Sequence, residues 1–455
     1  MGWRGGNRFN KSLPSFCIVT VLLLVSSVVW GEANDEERLL SGDRGLRLRG
    51  RVKEEVAVRL DTPRQLSKVK TVGWLDAKQE ISDSVTLRLN GRGWWDAVYS
   101  LTDRYPENVA RDQENDLSLR EAMLSVSHGP FDLRVGLQQV VWGEAVGTFV
   151  TDVVNPKDFR EFVLPEFTEI RIPLWMFDAA YAVGDNTVIE VVWTPEVRFN
   201  KIPERGSEFE FFRPPLPAGA IEPNSERMPH WTLRNSQGGV RASRIVSGWD
   251  LSVQYFDGVD GVPVLSRRQT GFLPNGTPVF SLTTGHHRLH MIGGTLGKSI
   301  EPVVVRSEFL YTVGKRYGTQ DPLDADGVVR RDTLDYLLSA GGLFFGNLDA
   351  TLQFSQKILG GAAGEIRQVG VEGRVTSTFS LRLASLFFDE KIQTSAIISV
   401  NANRGDYRIS PRVEYYPAGG MKVAAGADLF GGPPDTLYGE FSRKDRMYTE
   451  IEYRY

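Results

Sequence analysis

The residues able to do chemistry crowd into one stretch, WGEAVGTFVTDVVNPKDFREFVLPEFTEIRIPLWM, residues 142–176. It carries Glu144, Asp152, Asp158, Arg160, Glu161, Glu166, Glu169 and Arg171, interleaved with Phe149, Phe159, Phe162 and Phe167. Carboxylates and guanidiniums at that density suit the steering of a solute by charge, as at the constriction of a pore. They do not make a nucleophile and its base. None of the five histidines falls in the stretch, and no serine–histidine pair with a polar orienter is visible elsewhere. Locally the stretch reads as a loop with a short helix. Asn155 is a capping residue, Pro156 suits the first helical position, Asp158 lies where a reciprocal capping carboxylate would, and Pro165 stops the helix.

Two other clusters carry weaker signals. HHRLH puts His286 and His290 on one face of a strand, but no carboxylate or cysteine stands near in the sequence to complete a metal site. DPLDADG, residues 321–327, lacks the alternating Asp/Asn positions and the later bidentate carboxylate of a calcium loop. The first reads as a polar strand end and the second as a solvated acidic loop. Neither a metal nor another cofactor is expected. FRPPLPAGAIEPNSERMP, residues 212–229, reads as an extended loop without assignable chemistry.

The elements that must position these residues are strands. MYTEIEYRY, residues 447–455, puts Met447, Thr449, Ile451, Tyr453 and Tyr455 on one face and Tyr448, Glu450, Glu452 and Arg454 on the other. The same period of two recurs over residues 85–90, 131–138, 249–255, 348–355 and 407–415. The runs approach ten residues, the length a tilted strand needs to cross a bilayer. Charged residues occupy the polar faces. Aromatic residues close the apolar ones, among them Trp175, Tyr181, Trp193, Trp249, Tyr255, Phe309, Tyr311, Phe387 and Tyr415. A soluble sandwich has no use for such rings, whereas a membrane barrel carries them as interfacial girdles.

Connections fall into two kinds. Short ones stand near Ile81, His128, Gly184, Ser247, Gly346, Thr376 and Arg404, and long ones at residues 101–116, 142–171, 200–235, 258–285 and 314–332. Long and short alternate over the first two thirds of the chain, as expected of periplasmic turns and outer loops. The segmentation predicts an all-β transmembrane antiparallel barrel of about twenty strands, with sixteen or eighteen also compatible, and a short helix in one long loop. The stretch at 142–176 follows the fifth strand as the third long loop. Two placements stand open for it: folded into the lumen against a charged wall, or an outer lid held by its own salt bridges.

A positive start (Arg4, Arg8, Lys11), the apolar FCIVTVLLLVSSVVW and small residues at Gly31 and Ala33 read as a secretory signal peptide, residues 1–33. The one cysteine, Cys17, lies inside it, so the mature chain has no disulfide to form. Residues 34–48 are expected as a short periplasmic segment and 49–455 as a single barrel domain. No other run reaches 18 apolar residues, which leaves a closed barrel as the spanning solution. Gly 46 and aromatic 11% fit a turn-rich β protein, and a net charge of −4 without a basic patch excludes a nucleic-acid partner.

Several pieces together carry a resemblance. GRVKEEVAVRL with PRQLSKVKT, LREAMLSVSHGPFDLRVGLQQVVWGE, DVVNPKDFREF and RIPLWM, spread over residues 50–200, resemble an uncharacterised family of porin-like outer-membrane proteins of Gram-negative bacteria, a domain of unknown function. The motif positions are Trp142, Gly143, Glu144, Asn155, Pro156, Asp158, Arg160, Glu161, Arg171, Pro173 and Trp175. The resemblance implies an outer-membrane barrel that moves hydrophobic compounds or lipids with inner-membrane efflux-type partners. The expected function is a channel for small or moderately hydrophobic solutes, narrowed by the long loop. The alternative is a non-conducting barrel that docks a lipid or hydrophobic-compound transport system. Expected partners are outer-membrane lipid, the solute, periplasmic or inner-membrane transport components, and the barrel-assembly machinery. That machinery would read Ile451, Tyr453 and Tyr455 at the end of the closing strand.

Overall fold

A computed structural model describes residues 45–455, apart from 146, 212–219, 222–229, 320, 322–323, 363, 365, 367–370, 372 and 418. The signal-peptide reading, and the proline-rich stretch apart from residues 220–221, lie outside the described residues.

The alternating runs become strands β1 (Leu46–Arg59), β2 (Gln65–Ser82), β3 (Val85–Asp96), β4 (Asn115–His128), β5 (Phe131–Gln138), β6 (Leu174–Val183) and β7 (Thr187–Thr194). After the two-residue β8 (Ala220–Ile221) come β9 (Gln237–Val246), β10 (Trp249–Val259), β11 (Val264–Phe272), β12 (Pro278–Gly285), β13 (Arg288–Ile300) and β14 (Val303–Gly318). The last are β15 (Val328–Phe344), β16 (Leu348–Leu359), β17 (Val375–Phe387), β18 (Ile392–Asn401), β19 (Tyr407–Tyr415), β20 (Met421–Gly431) and β21 (Arg446–Arg454). Eighteen of them form one antiparallel sheet, while β8, β11 and β12 make a separate three-stranded sheet within the long connections. The large sheet closes where β1 pairs with β21, from Arg51 opposite Arg454 to Arg59 opposite Arg446. Closure leaves no unpaired edge, which is what a bilayer demands.

The burial pattern is the reverse of a soluble sandwich. On β21 the polar Arg446, Glu450 and Glu452 are buried inside, while Met447 and Ile451 on the other face are 57% and 54% exposed. Trp175, Tyr181, Tyr255, Phe309, Tyr311, Phe387, Tyr415 and Tyr455 stand exposed on the outer surface. At one end lie both ends of the barrel chain and the eight short turns; at the other end lie nine connections, including every long one.

The eighteen-strand barrel falls inside the expected range. Three local readings change. Thr376 lies inside β17, and the connection there spans residues 360–374; the repeated small and polar residues TSTFS alternate as a strand. The turn at Arg404 belongs to the long-loop end. The helix expected from Pro156 is absent. Residues 157 and 158 make extended bridges to Arg171 and Lys201, and the helix of this loop forms after Pro165, at Phe167–Ile170. The cause is competition for the cap. The Asn155 side chain accepts the Val140 N–H and donates to the Gln138 and Ile172 carbonyls, so it caps nothing. Numbered in chain order, the helices are α1 (Val98–Leu101), α2 (Glu107–Gln113) and α3 (Phe167–Ile170).

Candidate functional site

The connection from β5 to β6, residues 139–173, runs inside the barrel and bonds to inward-facing side chains around it. Its two legs pack on an apolar patch. Val140, Trp142, Val150 and Val154 cluster with inward residues of β6, β7, β10 and β13–β15, including Met176, Val192, Phe256, Met291, Leu310 and Leu337. Trp142 meets Phe256 edge-on, with ring centres 6.0 Å apart, and donates its indole N–H to Glu190 at 3.0 Å. A membrane barrel strand normally turns polar residues inward. Here β6, β7, β10 and β13–β15 each turn apolar side chains inward, where the loop covers them.

One carboxylate pins the legs. Glu308 on β14 is 1% exposed and accepts the N–H groups of Glu144, Ala145 and Thr151 and the Thr151 hydroxyl, at 2.5 to 3.0 Å. Its charge is satisfied by four donors, the arrangement a buried carboxylate requires. Nearby, Glu144 accepts the Thr295 hydroxyl at 3.0 Å and lies 3.7 Å from Arg241. Asp152 ties the two legs to each other, bonding Arg171 at 2.7 Å with the Lys157 ammonium 3.6 Å away. Burial pushes the Lys157 ammonium below the usual lysine range, and Asp152 works against that shift.

The tip of the loop crosses to the opposite wall. Glu161 pairs with both Lys68 and Lys70 of β2. Burial would raise its pKa, but the two ammonium groups overcome that and hold it well below the ordinary carboxylate value. Glu169 bonds Arg51 at 3.0 Å and lies 3.9 Å from Lys53, both on β1. Arg92 of β3 donates to the Glu169 carbonyl at 3.2 Å, and Arg120 of β4 to the Thr168 and Arg171 carbonyls at 3.0 and 2.5 Å. Asp158 bonds Arg160 at 2.7 Å, and Arg160 reaches Asp112 and Asp116 at 3.3 and 3.7 Å, joining the tip to the neighbouring connection. Above them Phe162 packs with Phe209, Phe430 and Phe441. Its φ of 56° is a left-handed conformation that an aromatic residue rarely adopts, held by that packing.

Between the tip and the wall of β1–β3 and β17–β21 lies a cavity of about 420 Å³. Glu166 lines it beside Val163, Leu164, Pro165 and Phe167; facing them are Arg382, Arg408, Arg412 and Lys422. The structure thus divides the expected set. Glu161, Glu166 and Glu169 face the cavity together. Trp142, Glu144, Asp152, Asn155 and Arg171 hold the legs, while Asp158 and Arg160 face the cavity and also tie the tip to its neighbour. Ile451 and Tyr453 lie on the closing strand and Tyr455 directly follows it, with Ile451 and Tyr455 exposed to the outside.

Sequence reasoning missed the wall residues: Lys68, Lys70, Arg51, Lys53, Arg92, Arg120 and Glu308. Their signal was present as charges on inward strand positions, but partner choice depends on the fold. His286 stacks on Phe199 at 3.4 Å, and His290 sits 3.0 Å from the Tyr255 hydroxyl, so the two do not converge. Among the described residues no group of three or more His, Cys, Asp or Glu is placed to hold a metal ion.

The chain belongs to the DUF1302 family, proteins of unknown function, whose sequence model matches residues 66–383. No curated protein matches the sequence. Among solved structures it is similar to OccK8 (OprE) of Pseudomonas aeruginosa, at 10% identity and a TM-score of 0.51, covering 90% of this chain and 98% of that one. It is similar to OccAB3 of Acinetobacter baumannii at 8% identity and a TM-score of 0.50, covering 90% and 99%. The outer membrane channel DcaP of Acinetobacter baumannii matches at 11% identity and a TM-score of 0.44, covering 91% and 100%. At these identities the likeness is one of fold, a porin-like barrel.

Proposed function

We propose that the protein is an outer-membrane channel for small or moderately hydrophobic solutes, narrowed by the loop of residues 139–173. One observation carries this reading. The loop tip leaves beside it a cavity lined on the loop side by apolar Val163, Leu164, Pro165 and Phe167 interspersed with Glu161, Glu166 and Glu169, and on the barrel side by charged residues. Such a passage has room for a small amphipathic solute. Selectivity then comes from the charges that line it. The outward apolar faces and exposed rings support contact with outer-membrane lipid, and β21 supports recognition by the barrel-assembly machinery through Ile451, Tyr453 and Tyr455.

The test is planar-bilayer conductance of refolded mature protein, with and without residues 142–173, which leaves β6 whole. A steady current that grows on deletion supports the channel. Silence from both forms, with folding confirmed, overturns it. A second reading is favoured by the apolar core inside the barrel: a closed barrel that docks periplasmic or inner-membrane components moving lipid or hydrophobic compounds. Current only after deletion, with copurification of such a component, would select it.

A further inference from the structure

We propose that the wall of β1–β3 is a binding strip for the carboxylate of an aromatic or alicyclic organic acid, and that Glu161 and Glu169 occupy it as built-in competitors. The proposal rests on the channel reading for its route, but not for its binding site.

Four observations converge. First, the strip is cationic at the level of the loop: Arg51, Lys53, Lys68, Lys70 and Arg92 all face inward there, with Glu55 and Asp96 the acids among them. Second, loop carboxylates satisfy most of these cations. Lys70 pairs with Glu161, and Lys53 has Glu169 within 3.9 Å. Third, two tryptophans lie in the strip under the charges. Arg51 stands 3.5 Å from the Trp74 ring centre, while Lys70 and Arg92 stand 4.4 and 4.8 Å from that of Trp94. Of the two, Trp94 lines the cavity, so a flat apolar body there has a ring beside Lys70 and Arg92. Fourth, donors go unused. The Nε of Arg92, a side chain 8% exposed, and the indole Nε1 of Trp94 are buried without an acceptor, and both residues line the cavity. Buried donors of this kind are uncommon and call for an acceptor.

A carboxylate entering the cavity therefore meets two idle donors and, in Glu161 and Glu169, two carboxylates of its own chemistry that it can displace. Its apolar body has Leu164 and Phe167 of the loop on the other side. Displacement would free the tip from the wall while the legs stay fixed, so the ligand opens its own path.

The test uses benzoate and trimethylphenylammonium, the same ring with opposite charge. Titration calorimetry of refolded protein in micelles should show weak benzoate binding, tightened about tenfold or more in the Glu161→Gln/Glu169→Gln double variant and lost in Arg92→Met. The cation should bind none of them measurably. Equal binding of the two probes, or no effect of either substitution in folded protein, overturns the proposal. Bi-ionic reversal potentials on the same proteins separate it from the channel reading. Benzoate binding without any current leaves the strip and sinks the channel; current without preference for benzoate over the cation leaves the channel and sinks the strip.

Discussion

Beneath the legs of the loop, β6, β7, β10 and β13–β15 turn Met176, Val192, Phe256, Leu310 and Leu337 into the lumen. Across from them β1 and β2 turn in Arg51, Lys53, Lys68 and Lys70, and meet the same loop through Glu161 and Glu169. The two contacts differ in what can replace them. Apolar packing is short-ranged, and dissolved ions have no equivalent of it. An ion pair can be exchanged for a pair with a solute or salt ion, and its worth depends on how completely water is excluded. One side of the loop is therefore a fixture and the other a contact that a solute can take over.

The largest expected effect breaks the fixture. Glu308→Leu removes the acceptor for three N–H groups and a hydroxyl. Each buried donor left unpaired costs ~1–3 kcal/mol, so a loss on the order of 5 kcal/mol is expected after relaxation. Urea unfolding in micelles reads it. A change under ~1 kcal/mol would mean that Glu308 does not anchor the legs. Trp142→Ala comes next. It empties a fully buried site against Phe256 and frees Glu190, for a loss of ~3–5 kcal/mol by the usual cost of such truncations. Trp142→Phe, which keeps much of the packing and loses the indole bond, should cost about 1 kcal/mol more than nothing, and the gap between the two variants separates packing from hydrogen bonding.

Glu161→Gln with Glu169→Gln tests the exchangeable side. Stability should fall by less than in either fixture variant, while open-channel conductance should rise severalfold. The pH dependence has a definite sign. Glu161 has its carboxyl held well below 4.5, because the pull of Lys68 and Lys70 exceeds the opposing effect of burial. A group with a lowered folded value contributes stability that is present above its unfolded value and lost only as pH falls through the folded one. Conductance should thus stay flat from pH 8 to 5 and rise only in stronger acid. A rise near pH 5 would show that Glu161 is not held by the two lysines.

The barrel was legible because its rule is local. Period two, charged on one face and apolar on the other, is written into each run, and β5 and β19 begin and end where the alternation does. Turn chemistry was legible where glycine marks it, as at Gly184 and Gly248, and failed at Thr376, where small polar residues serve equally well on an inward strand face. The helix at Pro156 failed for a different reason. Asn155, Pro156 and Asp158 satisfy a local capping rule, but three backbone groups from distant strand ends claim the Asn155 side chain first. The acids of the candidate site were visible by composition. Their division into leg and tip was not, since it depends on Glu308 and Lys68, residues far away in sequence that the closed barrel brings to the loop.

The smallest expected effect sharpens the comparison without a substitution. Raising KCl from 0.1 to 1 M shortens the screening length from ~10 to ~3 Å. Buried pairs are screened weakly, so the exchangeable side should loosen only a little, while the apolar side should not weaken at all. Amide hydrogen exchange resolves the two in one experiment. Around the tip, the Asp158, Glu169 and Ile170 amides donate within the loop itself and depend on the tip staying in place. Their exchange should quicken by roughly two- to fivefold, an opening change of about 0.4–1 kcal/mol. The amides of Ala145 and Thr151, bonded to Glu308 under the apolar cover, should not change. Equal acceleration at both places would mean that the loop moves as one body and that the two halves of the lumen do not act separately. Acceleration at the legs alone would reverse their roles, making the Glu308 side the one that salt can open.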